Sequence, residues 1–165
     1  MNLAAIELLI LDVDGVLTDG RIVFGADGEP SKAFYVQDGC AIKLWRDAGG
    51  RVAILSGRGE AAVLRRAAEL GIEWVQTGVS DKLVGYESIL RESGRRDEAV
   101  AYIGDDLPDL PPMRRCGFPV AVANAAPSVK REAAYVTRRR GGEGAAAEVV
   151  ELILRRRGQG ARATS

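Results

Sequence analysis

The sequence predicts a three-layer α/β fold around a mostly parallel sheet, and three observations predict it. Short apolar runs recur at Leu8–Leu11, Val52–Leu55 and Val100–Ile103, as suits strands buried on both faces. Segments with apolar residues at helical spacing lie between them. Strand-like and helix-like segments alternate along the chain, with no internal repeat and no linker.

The elements follow in order. Leu8 to Leu11 is the first core strand, and Asp12 and Asp14 stand where the chain leaves it, with Gly15 breaking the pattern. Arg21 to Phe24 and Lys32 to Val36 read as two β arms, joined by Gly25-Ala26-Asp27-Gly28-Glu29-Pro30. Asp-Gly between β-prone runs signals a hairpin, placed to act as a flap beyond the first strand. After Gln37-Asp38-Gly39 a helix is expected, with Ala41, Ile42, Trp45 and Ala48 on one side and Gly49-Gly50 at its end. Trp45 reads as core. Arg51 to Leu55 is the second core strand, followed by Ser56-Gly57-Arg58-Gly59, and a helix runs from about Glu60 to Leu70. Ile72 to Gln76 is a short strand. Ser80 and Asp81 suit the start of the helix carrying Lys82, Leu83, Tyr86, Ile89 and Leu90.

Ala99 to Ile103 is a fourth strand and ends in Gly104-Asp105-Asp106-Leu107-Pro108-Asp109. A short helix near Pro111-Met113, a strand from Phe118 to Ala123, a helix from Pro127 to Ala133 and an edge strand at Tyr135–Thr137 follow. Arg138 to Gly142 is a loop, and the last helix spans Ala145 to Arg156. The 165 residues are the size of one domain, expected over 1–157, with tail composition and a flexible tail over 158–165.

Composition narrows the function. Lysine plus arginine and aspartate plus glutamate both number 23, so no net charge favours nucleic acid or an acidic membrane. No apolar run approaches the ~20 residues of a membrane-spanning helix, and the amino terminus lacks a secretory pattern. Cys40 and Cys116 lie far apart in no metal spacing, which fits free thiols in a reducing cytoplasm. Histidine is absent. That removes histidine general bases, serine and cysteine triads that need one, and histidine zinc sites. Acid–base chemistry falls to carboxylates.

Carboxylates stand in the places that matter. In open α/β sheets ligands gather at the carboxyl ends of strands. Asp12 and Asp14 there repel each other unless a cation intervenes, and a hard ion such as Mg²⁺ with oxygen ligands serves. Asp12/Asp14, Ser56 with Gly57-Arg58, Lys82, and Asp105 with Asp106 and Asp109 can meet at one sheet edge. Each alone reads equally as a turn, a cap or a solvated lysine. Together they suit phosphoryl transfer. Asp12 can attack phosphorus to give an aspartyl-phosphate. Mg²⁺ between Asp12, Asp105 and the phosphate removes the charge repulsion. Ser56 and the amides after it can hold phosphate oxygens, and Lys82 neutralises remaining charge. Asp14 can protonate the leaving oxygen and then deprotonate the attacking water.

D-x-D-G-V-L-T (Asp12 to Thr18), L-S-G-R (Leu55 to Arg58), Lys82 and G-D-D-x-x-D (Gly104 to Asp109) resemble the haloacid dehalogenase superfamily of phosphatases. Within it the chain resembles the 3-deoxy-D-manno-octulosonate 8-phosphate phosphatase family from about Leu8 to Leu154. K-A-F-x-V-x-D-G (Lys32 to Gly39), Asp81-Lys82, A-Y-I-G-D-D-L-P-D and Y-V-T-R…G-G-x-G (Tyr135 to Gly144) carry that likeness. The resemblance implies a Rossmann-like core without a large cap domain. It implies a cytoplasmic homotetramer whose hairpins and carboxy-terminal segments help close neighbouring sites, serving lipopolysaccharide synthesis. Asp12 would be nucleophile and Mg²⁺ ligand; Asp14 the acid/base, its carbonyl on the metal; Asp105 a further ligand, supported by Asp106 or Asp109. Ser56, Gly57 and Lys82 would hold the phosphate. Tyr35, Val36, Gln37, Asp38, Gly39, Lys43, Arg58 and Arg66 fall where the family meets the sugar acid.

Gln37 and Lys43 stand where the family usually has arginine, Glu143 sits inside G-G-x-G where arginine is usual, and Ala147 also lacks a basic side chain. A carboxylate is held well by a bidentate arginine, so these changes bear on substrate rather than chemistry. Arg138, Arg139 and Arg140 either replace the lost groups or form a solvated basic turn. A nine-carbon ulosonate 9-phosphate is the alternative substrate. A signalling receiver domain fits less well, because its phosphorylated aspartate ends the third strand, where Gln76-Thr77 stand here. A non-catalytic oligomerisation module of the same fold would be favoured by loss of Asp12 or Asp14, and both are present.

Overall fold

A computed structural model describes residues 2–26, 28 and 30–163. Its main sheet contains β1 (Leu8–Leu11), β4 (Arg51–Leu55), β5 (Trp74–Gln76), β6 (Val100–Gly104), β7 (Phe118–Ala121) and β8 (Tyr135–Val136), in the order β5-β4-β1-β6-β7-β8. All its pairings are parallel. The four residues of β1 and the five of β6 are buried, as expected of strands covered on both faces. A separate antiparallel pair, β2 (Val23–Phe24) and β3 (Pro30–Ser31), forms the hairpin.

Among the described residues six α-helices complete the fold: α1 (Val36–Asp47), α2 (Ala61–Leu70), α3 (Lys82–Ser93), α4 (Leu110–Met113), α5 (Pro127–Glu132) and α6 (Ala145–Ala163). Helix α1 packs on α6 and β4, while α3 and α4 pack on each other and on β4 and β6. The buried residues follow the helical period. Ala41, Ile42 and Trp45 face inward on α1, and Val63, Ala67 and Leu70 on α2. Trp45 is fully buried and donates its indole N–H to Arg51 O at 2.9 Å. Asp81 caps α3 by accepting from Leu83 N at 2.9 Å.

The topology creates the site. Strand β1 pairs with β4 on one side and β6 on the other, with Leu11 level with both Ile54 and Ile103. The chain therefore leaves β1, β4 and β6 at one height, and the order reverses there. Such a switch point opens a crevice at the carboxyl ends of the strands. Asp12, Ser56 and Asp105 each occupy the position just after a strand.

Two expectations need correction. The second hairpin arm is Pro30–Ser31, not Lys32 to Val36. Proline is tolerated because this is an edge pair, and Lys32 leaves the ladder to turn its side chain inward. Of the expected connecting turn, positions 27 and 29 lie outside the described residues. Backbone helix α6 continues to Ala163 through the region read as a tail, and 164–165 lie outside the described residues.

The loop after β1 is held from far along the chain. Asn124 donates to Gly15 O at 3.2 Å and accepts from Gly141 N at 2.7 Å, and Gly142 N donates to Val16 O at 3.0 Å. A Cβ on Gly141 would stand 1.7 Å from Gly15 O, both atoms being backbone or bound to it. Gly141→Ala should therefore cost about 1–3 kcal/mol, in the range of overpacking. At about 2–4 °C per kcal/mol for a domain of this size, thermal unfolding should register the loss, and an unchanged midpoint would contradict this contact.

Candidate active site

A cleft of about 450 Å³ opens at the switch point. Asp12, Asp14, Gly57, Arg58, Lys82, Asp105, Asp106 and Asp109 all line it. The strand ends and the α3 start have thus brought together residues spread over most of the chain.

Lys82 is the organising cation. Its ammonium lies 2.8 Å from Asp12 Oδ1 and 2.6 Å from Asp109 Oδ1, with its side chain 6% exposed. Burial lowers its pKa, but the two carboxylates outweigh that and raise it, so Lys82 is charged. Asp109 is fully buried. Its Oδ1 also accepts from Tyr102 O–H at 2.7 Å, and its Oδ2 from the amides of Asp105 and Asp106 at 2.9 and 3.2 Å. With four donors, this carboxylate is saturated and anchors the loop after β6 rather than offering a free oxygen. Burial and Asp109 also push the Tyr102 phenol well above its ordinary pKa, so it remains a donor.

Asp12 and Asp105 are in the opposite position. Burial pushes Asp12 up, Asp109 adds to this, and Lys82 opposes it. Burial likewise raises Asp105, with the charges of Asp12 and Asp109 adding. Oxygens of Asp12, Asp105 and Asp109 lie within 4.8 Å of one another. An all-carboxylate set that is short of positive charge fits a hard divalent cation. Asp12 and Asp105 are the members with coordination to spare. Gly15 permits the approach: a Cβ there would fall 2.0 Å from Asp105 Oδ2, and its φ of +87° suits glycine.

Asp14 lines the cleft with its side chain 24% exposed and pairs through Oδ1 with Lys32. Lys32 also reaches Glu60 Oε2 at 3.1 Å, and Glu60 Oε1 accepts from Arg58 Nε at 2.8 Å. Sequence reasoning missed Lys32, Glu60 and Tyr102 as parts of the site. Lys32 and Tyr102 fall within motifs that carry the family likeness, but nothing local shows that Lys32 reaches Asp14 and Glu60 or that Tyr102 reaches Asp109.

This geometry can be set beside known proteins. The model of the haloacid dehalogenase-like hydrolases matches residues 75–149. The 3-deoxy-D-manno-octulosonate 8-phosphate phosphatase of Yersinia pestis is 49% identical over 151 residues, which are 92% of this chain and 81% of that one. The chain belongs to the haloacid dehalogenase-like hydrolases. The hydrolase also superposes on solved structures. One is the 3-deoxy-D-manno-octulosonate 8-phosphate phosphatase of Moraxella catarrhalis in complex with magnesium ion, phosphate ion and KDO. It has a TM-score of 0.92 and 41% identity, over 95% of this chain and 90% of that one. A probable YrbI family phosphatase of Pseudomonas syringae gives 0.93 and 50% over 99% and 94%.

In this hydrolase some expected residues lie away from the aspartate cleft. Ser56 is 1% exposed, its hydroxyl accepting from Arg58 N at 3.3 Å, so Gly57 and Arg58 form the wall there. Asp38 is no cleft residue. It is 2% exposed and its Oδ1 accepts from Ala147 N at 2.8 Å, capping α6 from a distance. Burial raises its pKa, and amides at the α6 start work against that. Gly39 is buried against Arg66, where a Cβ would meet Nη2 at 2.2 Å. Arg66 and Val36 border a separate groove of about 340 Å³ with Lys32 and Phe34. Tyr35, Gln37 and Lys43 are exposed on or before α1. Arg139 Nη1 lies 3.2 Å from Gln37 Oε1, so a guanidinium stands beside that glutamine. Ala147 is 4% exposed, and its amide is taken up by Asp38.

Removing a carboxylate should separate stability from metal binding. Asp12 and Asp105 are raised in the fold, so the folded chain holds protons that the unfolded chain has lost above their ordinary value of 3.8. Metal-free stability should therefore fall as pH rises from about 4 into the neutral range. Asp105→Asn should raise the metal-free melting temperature at pH 7.5. Saturating Mg²⁺ (100 times Kd) adds about 2.7 kcal/mol by mass action, so it should raise the wild-type midpoint by about 5–10 °C and the variant's hardly at all. A variant less stable than wild type without metal, and equally stabilised with it, would contradict this reading.

Proposed function

We propose that the hydrolase is a Mg²⁺-dependent phosphatase acting on 3-deoxy-D-manno-octulosonate 8-phosphate, a lipopolysaccharide precursor. The observation that carries the chemistry is the buried Lys82 between Asp12 and Asp109, with Asp105 alongside. The relatives' substrate carries the choice of sugar acid. The nearness of Arg139 to Gln37 supports it, since a guanidinium remains where the sequence lacks the usual arginine.

Asp12 and Asp105 would hold Mg²⁺, with the Asp14 carbonyl, while Asp106 and Asp109 support the loop. Bound there, the ion neutralises charge between the carboxylates and the phosphate. Lys82 and the Gly57 amide, beside Ser56, hold phosphate oxygens, and Arg58 meets the substrate from the cleft lip. An Asp12 oxygen attacks phosphorus as the bond between phosphorus and the sugar oxygen breaks, and Asp14 donates its proton to that departing oxygen, which leaves as the sugar hydroxyl. Asp14 then takes a proton from water, which attacks the same phosphorus and frees Asp12 and inorganic phosphate. Burial of Asp12 at 5% exposure supports its role, because a desolvated carboxylate is the stronger nucleophile. Tyr35 to Gln37, Lys43 and Arg66 lie outside this cleft, and they would serve the sugar acid only where a neighbouring chain completes the site.

Exposed Ile22, Val23 and Phe24, at 50, 54 and 65%, support an assembly that covers the hairpin, read as a homotetramer. Among the described residues no helix is long and apolar enough to cross a membrane, and two free cysteines support a cytoplasmic setting.

Phosphate release should be measured on 3-deoxy-D-manno-octulosonate 8-phosphate, a nine-carbon ulosonate 9-phosphate and hexose phosphates, with Mg²⁺ and with EDTA. The first should be preferred, EDTA should stop release, and Asp12→Asn should lower turnover by at least about 10³-fold. Preference for the nine-carbon compound would move the substrate, and near-wild-type turnover in Asp12→Asn would end the nucleophile assignment. Light scattering should find four 17.6 kDa chains together; a monomer at working concentration would refute the tetramer.

A further inference from the structure

Lys32 does something that the phosphoryl chemistry does not require. Its side chain is only 3% exposed, although it directly follows the exposed Ser31 of hairpin strand β3. A buried ammonium is costly unless paired. Lys32 is paired twice, with Asp14 Oδ1 and with Glu60 Oε2 at 3.1 Å. Glu60, whose side chain is 8% exposed, spends its other oxygen on Arg58 Nε at 2.8 Å. The result is an alternating chain of charges, Asp14–Lys32–Glu60–Arg58. Its two ends both line the aspartate cleft, and its two middle members are buried.

We infer that Lys32 and Glu60 are positioning residues that fix the direction of the Asp14 carboxylate toward the leaving oxygen. The inference rests on the proposed phosphatase reading. With Lys32 on Oδ1, the proton exchanged with the substrate is left to Oδ2 of Asp14. An aspartate side chain at a partly open cleft otherwise samples several χ rotamers, and few of them aim that oxygen at one point. Glu60 has the matching task for Lys32. It holds the ammonium in place from the α2 side, and through Arg58 it ties that geometry to the cleft lip. A plain ion pair would stabilise the fold with Glu60 alone. The contact with Asp14 is the feature a purely structural lysine does not need.

The two roles separate by leaving group. An alkyl alkoxide leaves only with a proton, whereas 4-nitrophenolate departs without one. Correct placement of a general acid is worth on the order of 10²-fold or more. Lys32→Met should therefore lower kcat/KM, which reads the step that expels the leaving group and not the later hydrolysis of the aspartyl-phosphate, by about 10²-fold on the best alkyl phosphate, while kcat/KM on 4-nitrophenyl phosphate changes less than about threefold. Lys32→Arg should recover most of the alkyl rate, and Glu60→Gln should show the same split in weaker form. Circular dichroism and the Mg²⁺-induced melting shift show whether each variant is folded; if Lys32→Met is not, Glu60→Gln and Lys32→Arg decide. Equal losses on both substrates in folded variants, or no loss on either, would overturn the inference. The wild type is the separate control: no release from any alkyl phosphate would overturn the phosphatase reading itself.

Discussion

One buried ammonium holds the site together. Lys82 sits between Asp12 and Asp109, and without it the loops after β1 and β6 would bring uncompensated carboxylates into the protein interior. Three aspartates share that space with a single lysine, so the local balance stays negative and burial makes the excess felt. The surplus is not an accident of folding. It suits a hard divalent cation, as the proposed phosphatase reading requires. A fold that carries this strain trades some stability for function.

The rest of the architecture bears that load. Asp109 is locked by Tyr102 from within β6 and by two amides of its own loop, so the anion beside Lys82 cannot swing away. The loop after β1 is gripped by Asn124 and Gly141, more than a hundred residues later. Asp38 caps α6 across a similar sequence distance. The last third of the chain thus closes over the first, and the flanking strands set the height at which Asp12, Ser56 and Asp105 emerge.

How far the sequence foretold this varies with the range of the interaction. Strands, helices and the acids at their ends were legible because apolar period and turn residues are local signals, as Leu8–Leu11 followed by Asp12 illustrates. Lys82 was legible through its place at a helix start. Lys32 was not, because its neighbourhood reads as β-prone while its partners, Asp14 and Glu60, come from other elements. For Asp38 the motif pointed to a ligand, and the long-range contact with the α6 amides that the folded chain gives it had no local signal. Arg66 shows a third case, a residue in the right region but in a groove beside the cleft of the single chain.

The central claim is that the Asp12 carboxylate, held by Lys82, becomes covalently phosphorylated during turnover. The most direct measurement is chemical trapping. Enzyme turning over 3-deoxy-D-manno-octulosonate 8-phosphate with Mg²⁺ would be quenched with sodium borohydride, which reduces an acyl phosphate to an alcohol, and then mapped by mass spectrometry. The account predicts homoserine in place of aspartate at position 12, dependent on substrate and absent with EDTA. An unmodified Asp12 in enzyme that is releasing phosphate, or modification at another carboxylate, would contradict it.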